Sequence, residues 1–216
     1  MNRIKNILFD LDGTIIEPQE GIINSILFAL DKLGIEERNK EALKSFIGPP
    51  LIDSFTNRYQ LDTEKAKEAV GYYREYFSGK GIYQNTLYPD IVEVLQQLRE
   101  HNYYLFLATS KPTIYAEEIL VNYKIMEPFK GVVGSNLDHT RKDKTEIIDF
   151  VINTYKLERS ETLMIGDRKY DIIGAKNNSI KSVGAVYGHG NLKELKIAGV
   201  DFVVNNCKEL FSIITS

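Results

Sequence analysis

Apolar and polar positions follow different periods in different parts of the chain, and each period predicts a kind of element. Residues 7–9 form a short apolar run that stops at Asp10. A continuous apolar run bounded by turn residues is typical of a strand buried on both faces. We therefore expect a buried strand here, with Asp10 at its carboxyl end.

Over residues 16–83 the apolar positions recur at helical spacing. Helices are predicted over about 22–33, from Asn39 to about residue 47, from Leu51, and from Asp62 or Thr63 to about residue 77. Gly48-Pro49-Pro50 separates the second helix from the third, because proline lacks a backbone donor and restricts the residue before it. We expect these residues to form an all-helical domain inserted after the first strand.

From Tyr88 onwards the predicted strands and helices alternate. Strands are predicted at 103–108, 132–133, 162–165, 182–186 and 201–204. Helices are predicted from Asp90 to about residue 98 and near 113–122, 145–155, 171–177, 191–198 and 208–214. Repeated β-α units imply a parallel, doubly wound sheet. The predicted fold is α/β, with residues 1–15 and 84–216 forming the sheet domain and 16–83 the helical insertion.

Length, charge and cysteine content narrow the class of protein. The 216 residues are 43% hydrophobic and suffice for an α/β core with a smaller insertion. The net charge of −3 offers no strongly basic surface for nucleic acid, and the single cysteine excludes an intramolecular disulfide. No segment approaches the roughly 20 apolar residues of a membrane span, and residues 1–10 lack the apolar core of a signal peptide. We expect a soluble, cytoplasmic protein without nucleic-acid or membrane partners.

Two carboxylates and a glycine follow the first predicted strand. Because strand residues alternate between faces, Asp10 and Asp12 are expected to point the same way. Two like charges at a buried strand end are costly unless a cation or a proton offsets them. Gly13 allows a sharp turn in which main-chain N–H groups face an anion. A plain Asp-Gly turn is the alternative interpretation.

Hydroxyl and lysine side chains follow in the next β-α units. Thr109 comes after the strand at 103–108 and can donate to an anionic oxygen, with the Ser110 N–H beside it. A Ser/Thr turn that caps the next helix predicts the same residues. Further on, Lys144 directly precedes a predicted helix, where a lysine and the helix N-terminal amides can hold a phosphate. The alternative is a solvated charge cluster.

A second pair of acids follows the predicted strand at 162–165. The strand ends at Gly166 and Asp167, and Asp171 comes four residues later. If a helix starts near Arg168, this spacing turns Asp171 toward the pocket of Asp167. A simple helix cap is the alternative role for Asp171. Four carboxylates at one pocket need compensation, and oxygen ligands without the His and Cys that zinc needs favour Mg²⁺.

Taken together, these motifs resemble those of the haloacid dehalogenase superfamily of phosphotransferases. The first motif of that superfamily, D-x-D-x-T/V, matches residues 10–14, and its second, a Ser or Thr, matches Thr109. Its lysine motif matches Lys144, and its G-D-x-x-x-D motif matches residues 166–171. Many relatives have a proline after the motif lysine, where this chain has a threonine. That departure leaves Lys142 as the rival to Lys144.

The resemblance implies a Rossmann-like core, a helical cap over residues 16–83 and a phosphatase mechanism. Asp10 is expected to attack phosphorus and form an aspartyl-phosphate, and Asp12 to protonate the leaving group and then activate water. The implied Mg²⁺ ligands are the Asp10 carboxylate, the Asp12 main-chain carbonyl, Asp167, and Asp171 directly or through water. The expected phosphate-binding residues are Gly13, Thr14, Thr109, Ser110, Lys111 and Lys144.

Within the helical insertion, Gly48 is the candidate site residue. The phosphate-binding groups of the core cannot distinguish one ester from another, so selection is expected to come from the cap. Gly48 would let the backbone of the turn at 48–50 approach the ligand closely. A plain break between two helices is the alternative.

The branch that the chain most resembles contains phosphoglycolate phosphatases. We therefore expect a Mg²⁺-dependent phosphatase that acts on a small phosphorylated metabolite as a monomer or weak homodimer. Nucleoside monophosphates, sugar phosphates and pyrophosphate are alternative substrates, and a β-phosphoglucomutase-like activity uses the same core. A phospho-accepting signalling domain also carries Asp, Thr and Lys on a parallel sheet, but it lacks an inserted helical domain.

Overall fold

The structure is a computed structural model that describes residues 4–138, 140–141 and 143–216. It divides into two compact units. The first contains the chain up to Glu17 and again Leu87–Ser216, and the second is Pro18–Thr86. None of the helices in the described part of the chain combines the length and hydropathy of a membrane span.

A parallel sheet organises the first unit. The strands of the chain are β1 (Asn6–Phe9), β2 (Ile16–Glu17), β3 (Thr86–Leu87), β4 (Tyr104–Pro112), β5 (Phe129–Ser135), β6 (Thr162–Gly166), β7 (Lys181–Ala185) and β8 (Phe202–Val204). Six of them form one sheet in the order β5-β4-β1-β6-β7-β8, and every pair in it is parallel. The chain adds strands on one side of β1 and then on the other, so the order reverses at β1. The predicted doubly wound α/β fold is confirmed.

Helices cover this sheet and form the second unit. They are α1 (Gln19–Lys32), α2 (Leu51–Tyr59), α3 (Thr63–Gly79), α4 (Ile91–Glu100), α5 (Thr113–Asn122), α6 (Lys144–Tyr155), α7 (Lys169–Asn177), α8 (Leu192–Ala198) and α9 (Cys207–Thr215). Short 3-10 helices lie at Lys40–Phe46, Gly81–Tyr83 and Arg159–Glu161. On one face of the sheet, Leu8 belongs to a buried cluster with side chains of α6 and α7. Ile7 and Phe9 point to the other face and are also fully buried, so both faces of β1 are covered.

The second unit is helical, and each of its main helices packs on α3. Both α1 and α2 lie against α3. Phe46 and Phe55 pack edge to face, with ring centroids 5.1 Å apart, in the core of this unit. Asn39 and Asp62 cap the elements that follow them, as the sequence predicts, but the element after Asn39 is a 3-10 helix.

Several predicted boundaries differ from the structure, and three of the differences have a clear structural cause. The strand expected to end at residue 108 continues to Pro112, because the chain pairs again with β5 at Ser135 after a register shift. The strand expected at 132–133 extends over Phe129–Ser135, since pairing with β4 overrides the weak pattern of its lysine and two glycines. Helix α7 starts at Lys169 rather than 171, because the Asp171 carboxylate accepts from the Arg168 N–H and caps the helix earlier.

The boundaries between the two units lie at residues 17–18 and 86–87, whereas the sequence predicts them at 15–16 and 83–84. The two short strands β2 and β3 lie at these boundaries. They pair with each other in a two-stranded sheet that the hydrophobic pattern does not reveal. Strands of two residues carry too few side chains to show a period of two.

Candidate active site

The candidate residues of the first unit gather at one edge of the sheet because their strands are neighbours. Strand β1 lies between β4 and β6, with Phe9 in register with Leu107 on one side and Ile165 on the other. The residues that come next in each strand therefore lie side by side at the carboxyl ends. That edge, beside the strand at which the order reverses, is where open α/β sheets bind ligands.

Three carboxylates meet at this edge. Asp10, Asp167 and Asp171 are all buried, and each offers an oxygen within 4.8 Å of the others. Gly166 makes the approach of α7 possible, because a Cβ at that position would overlap the Asp171 carboxyl group. Asp171 caps its helix through Oδ2, and its Oδ1 lies toward the cluster, so both roles considered for this residue are present.

Lys144 is the cation at the centre of the cluster. Asp143 caps α6 by accepting from the Thr145 N–H at 2.7 Å, which makes Lys144 the first helical residue. The Lys144 side chain is 3% exposed, and its Nζ lies 2.9 Å from Asp10 Oδ1 and 2.8 Å from Asp171 Oδ1. The same ammonium group donates to the Ala108 carbonyl at 3.0 Å. One lysine thus joins the end of β1 and the middle of β4 to the first turn of α7.

Asp12 forms an ion pair with a second buried lysine, Lys111. Its Oδ2 lies 2.9 Å from Lys111 Nζ, and the Lys111 side chain is only 5% exposed. Within the described residues, the other carboxylate oxygen of Asp12, Oδ1, is buried without a hydrogen-bond partner. Asp12 therefore pairs with a different lysine from the one that contacts Asp10 and Asp171.

The turn that carries Gly13 and Thr14 closes on itself. The Gly13 N–H donates to the Ile16 carbonyl at 2.8 Å, and the Thr14 N–H donates to the Leu11 carbonyl at 3.2 Å. These two donors are thus used inside the turn. The φ of Gly13 is +80°, and a Cβ there would overlap the Asp167 carboxylate. Gly13 therefore lets the turn lie directly against Asp167.

Thr109 and Ser110 belong to β4 in the structure, which corrects their predicted position after the strand. Thr109 is 1% exposed, and its Oγ1 accepts from the Lys111 N–H at 3.3 Å. The Ser110 carbonyl accepts from the Ser135 hydroxyl at 2.9 Å. The register shift between Ala108 and Pro112 interrupts the regular pairing of β4 with β5 where these two residues lie. Thr14 is also fully buried, and its hydroxyl has no hydrogen-bond partner among the described residues.

Residues 187–190 are a part of the site that sequence reasoning missed. They follow β7, and the His189 main-chain N–H donates to Asp167 Oδ2 at 2.7 Å. A Cβ at Gly188 or Gly190 would overlap Asp167, so both glycines permit this close approach. A histidine between two glycines at the end of a predicted strand was the available signal.

Burial and mutual repulsion shift the acidity of these groups. Burial, and then Asp171 and Asp10, raise the pKa of Asp167 well above its ordinary value. Burial and Asp10 raise the pKa of Asp171 to about 6, although Lys144 opposes them. Burial also raises the pKa of Asp12 against the pull of Lys111. Burial alone would lower the pKa of Lys144, but Asp10 and Asp171 raise it above its ordinary value.

The donor set of the cluster fits a hard divalent cation. Four carboxyl groups, including Asp12, meet two ammonium groups here, so ionisation of all four leaves a formal excess of two negative charges. Asp167 Oδ1 is buried without a hydrogen-bond partner within the described part of the chain. Oxygen donors with surplus negative charge suit Mg²⁺.

Gly48 belongs to the second unit, where it has a φ of +105° directly before Pro49 and Pro50, and Pro50 precedes α2. Lys142, the rival to Lys144, lies outside the described residues.

Comparison with known proteins identifies relatives over most of the chain. Residues 7–185 match the family described as haloacid dehalogenase-like hydrolase. A 5'-nucleotidase of Pseudomonas aeruginosa is 43% identical over 194 residues, which are 90% of this chain and 88% of that protein. A phosphoglycolate phosphatase of Vibrio parahaemolyticus is 27% identical and covers 98% of this chain and 96% of its own length. A crystal structure from Clostridium acetobutylicum, described as a predicted phosphatase, has a TM-score of 0.95 at 39% identity and covers 98% of both chains.

Proposed function

This chain belongs to the haloacid dehalogenase-like hydrolase family and is a phosphatase of that family, and on this premise we propose that it hydrolyses a small phosphomonoester with Mg²⁺ through an aspartyl-phosphate on Asp10. The observation that carries the proposal is the position of Lys144, whose ammonium group touches both Asp10 and Asp171 in a buried site. A lysine held between two acids beside a strand end can bind the oxygens of a transferring phosphoryl group.

The metal ligands in this proposal are the carboxylates of Asp10 and Asp167, the main-chain carbonyl of Asp12, and Asp171 directly or through water. Support comes from the cluster of the three acids and from the unpartnered oxygen of Asp167. When bound, Mg²⁺ supplies charge neutralisation for the phosphate oxygens and holds them for in-line attack.

In the first step the Asp10 carboxylate attacks phosphorus. The new bond joins an Asp10 oxygen to phosphorus, and the bond from phosphorus to the ester oxygen breaks. Asp12 gives its proton to the departing alkoxide. The raised pKa of Asp12, caused by burial, favours the protonated form that this step needs.

In the second step Asp12 acts as a base. Its carboxylate takes a proton from water as the water oxygen attacks phosphorus, and the bond between phosphorus and Asp10 breaks. Inorganic phosphate leaves, and Asp10 and Asp12 return to their starting forms. Lys111, 2.9 Å from Asp12, stabilises the carboxylate form required here.

The residues proposed to bind the phosphate are Lys144, Thr109, Ser110, Thr14 and Lys111. The unpartnered hydroxyl of Thr14 supports a role as a donor to a phosphate oxygen. Gly13 contributes through its lack of a side chain beside Asp167.

The second unit, Pro18–Thr86, is proposed to act as the cap that selects the substrate and excludes water during phosphoryl transfer. Gly48 is proposed to bring the backbone of the turn at 48–50 to the leaving group. Its left-handed φ supports a turn that requires glycine.

For the substrate, a nucleoside 5'-monophosphate is the first candidate, because the relative at 43% identity is a 5'-nucleotidase. Phosphoglycolate is the second, since relatives of near-equal length at 26–27% identity are phosphoglycolate phosphatases. The cytoplasm is the proposed location, in keeping with a chain that carries one cysteine.

The experiment is a panel of phosphomonoesters assayed for phosphate release with Mg²⁺ and with EDTA. The panel contains nucleoside 5'-monophosphates, 2-phosphoglycolate, sugar phosphates and pyrophosphate. We expect many turnovers per chain, abolished by EDTA and restored by Mg²⁺. Stoichiometric labelling without turnover would favour a phospho-accepting signalling domain, and conversion of a hexose 1-phosphate to the 6-phosphate would favour a mutase.

A further inference from the structure

A network of contacts in the first unit leads from Asp167 to Glu17 and Tyr88, which lie next to the two points where the chain passes between the units. It starts at the loop 187–190, where the His189 N–H donates to Asp167 Oδ2. The imidazole of His189 continues it, because its Nε2 lies 2.9 Å from Glu17 Oε1. The two atoms are close enough for an ion pair but are not aligned as a hydrogen bond. Glu17 is the last residue of the chain before the second unit.

Tyrosines fix the other side of this network. The Tyr88 hydroxyl donates to Glu17 Oε2 at 3.1 Å, so each oxygen of Glu17 has its own contact. The ring of Tyr88 packs edge to face on Tyr187, with centroids 5.0 Å apart. The Tyr187 hydroxyl in turn donates to the Thr14 carbonyl at 2.9 Å. The loop that contacts Asp167 is thus tied at Tyr187 to the turn after β1 and at His189 to Glu17.

We propose that Glu17 and His189 are positioning residues for the metal site, which hold the loop 187–190 so that Asp167 keeps Oδ2 on the His189 N–H and presents Oδ1 to the cation. The inference rests on the proposed function, in which Asp167 is a ligand. In this proposal neither the Glu17 nor the His189 side chain contacts the metal or the substrate.

The physical need for such a device lies in the charge of the cluster. Asp10 and Asp171 repel an ionised Asp167, so without a fixed donor its carboxylate would turn away from them. Mg²⁺ requires near-ideal octahedral geometry with short bonds, so a small rotation of one ligand weakens binding. Groups that orient metal ligands typically change affinity by about 10- to 100-fold when removed. Glu17 acts one contact further away, so a smaller change is expected.

The test is isothermal titration calorimetry of the full chain with Mg²⁺, without substrate, at fixed pH. We expect Glu17→Ala and His189→Ala each to weaken Mg²⁺ binding about fivefold. The double variant should bind no more weakly than the poorer single variant, because both changes remove the same contact. Glu161→Ala is the matched control, because it removes an ion pair with Lys5 on the same unit that touches none of the site residues.

Thermal unfolding separates positioning from general loosening. We expect the Mg²⁺-induced rise in midpoint to shrink in Glu17→Ala and His189→Ala but to stay at the wild-type size in Glu161→Ala. Wild-type Mg²⁺ affinity in both site variants, with binding lost in Asp167→Asn, would overturn this inference alone. Absence of Mg²⁺ binding by the wild-type protein would overturn the proposed function as well.

Discussion

The ammonium group of Lys144 lies 2.9 Å from the Asp10 carboxylate and ties the start of α6 to the end of β1. The pair is buried, and a second contact with Asp171 completes it. A buried ammonium group between two carboxylates holds both in place and compensates part of their charge. In the proposed mechanism, phosphoryl transfer to Asp10 would therefore take place beside a fixed cation.

Replacement of Lys144 and of Lys142, each by itself, decides which of the two is the motif lysine. With saturating Mg²⁺, Lys144→Ala should lower kcat/KM about 100-fold or more, the typical effect of removing one donor to a transition-state oxygen. Lys142→Ala is the matched control and should change kcat/KM by less than about threefold, because only Lys144 binds the phosphoryl group in this proposal. Steady-state kinetics on one phosphomonoester measures both, and the reverse order would move the lysine motif by two residues.

Removal of Lys111 should slow the second step more than the first. Without this cation, burial and Asp10 raise the pKa of Asp12 further, which favours the acid of step one and disfavours the base of step two. We expect Lys111→Met to release one equivalent of p-nitrophenol in a fast burst, followed by turnover slowed about 10-fold or more. A stopped-flow trace without a burst, at a rate equal to wild type, would show that Lys111 does not act on Asp12.

Metal-free stability should fall as the pH rises through the titration of Asp171. The folded pKa of about 6 exceeds the ordinary value of 3.8, so the folded state binds the proton more tightly than the unfolded chain. The stabilisation is complete below about pH 4 and is lost as the pH rises through 6. In EDTA the unfolding midpoint should drop over this range, and less so in Asp171→Asn. Equal slopes in the two proteins would contradict the raised pKa.

The turn at Gly48 should affect substrate choice rather than the chemistry. We expect Gly48→Val to change the relative kcat/KM among natural esters about 10-fold and to spare p-nitrophenyl phosphate, whose leaving group needs little assistance. Gly34→Val is the control, since Gly34 has a φ of +68° in the same unit and open space around it. Equal losses on every ester, or the same pattern in both variants, would leave this turn as a break between helices.

The sequence predicts those parts of the fold and of the site that depend on local patterns of residues. Each acid of the cluster follows a strand or lies in the first turn of a helix, and both signals are local. The sequence therefore predicts that Asp10, Asp167 and Asp171 meet, as they do in the structure. Lys144 is predicted from its place directly before the helix expected at Thr145, and in the structure it is the first residue of α6. The end of β4 is not predicted, because the strand resumes at Pro112 through pairing with a distant partner.

Contacts between side chains far apart in the chain leave no periodic signal. The pairing of Lys111 with Asp12 depends on how two neighbouring strands end, and the sequence shows only that each residue is charged. His189 reaches Asp167 through its main chain, so its residue type alone does not indicate the contact. Its imidazole contacts Glu17 because the fold brings the loop after β7 close to β2, and these two segments are far apart in the sequence.

The most direct test of the account is to look for the phosphoryl group on Asp10. In Asp12→Asn the first step on p-nitrophenyl phosphate should proceed, since its leaving group needs no acid, while the missing base stalls hydrolysis of the intermediate. Acid-quenched protein is digested and its peptides are weighed by mass spectrometry. We expect one added phosphoryl group on the peptide that contains Asp10, absent with EDTA and absent in the Asp10→Asn/Asp12→Asn double variant. A phosphoryl group on another residue, or Mg²⁺-dependent turnover by Asp10→Asn, would contradict it.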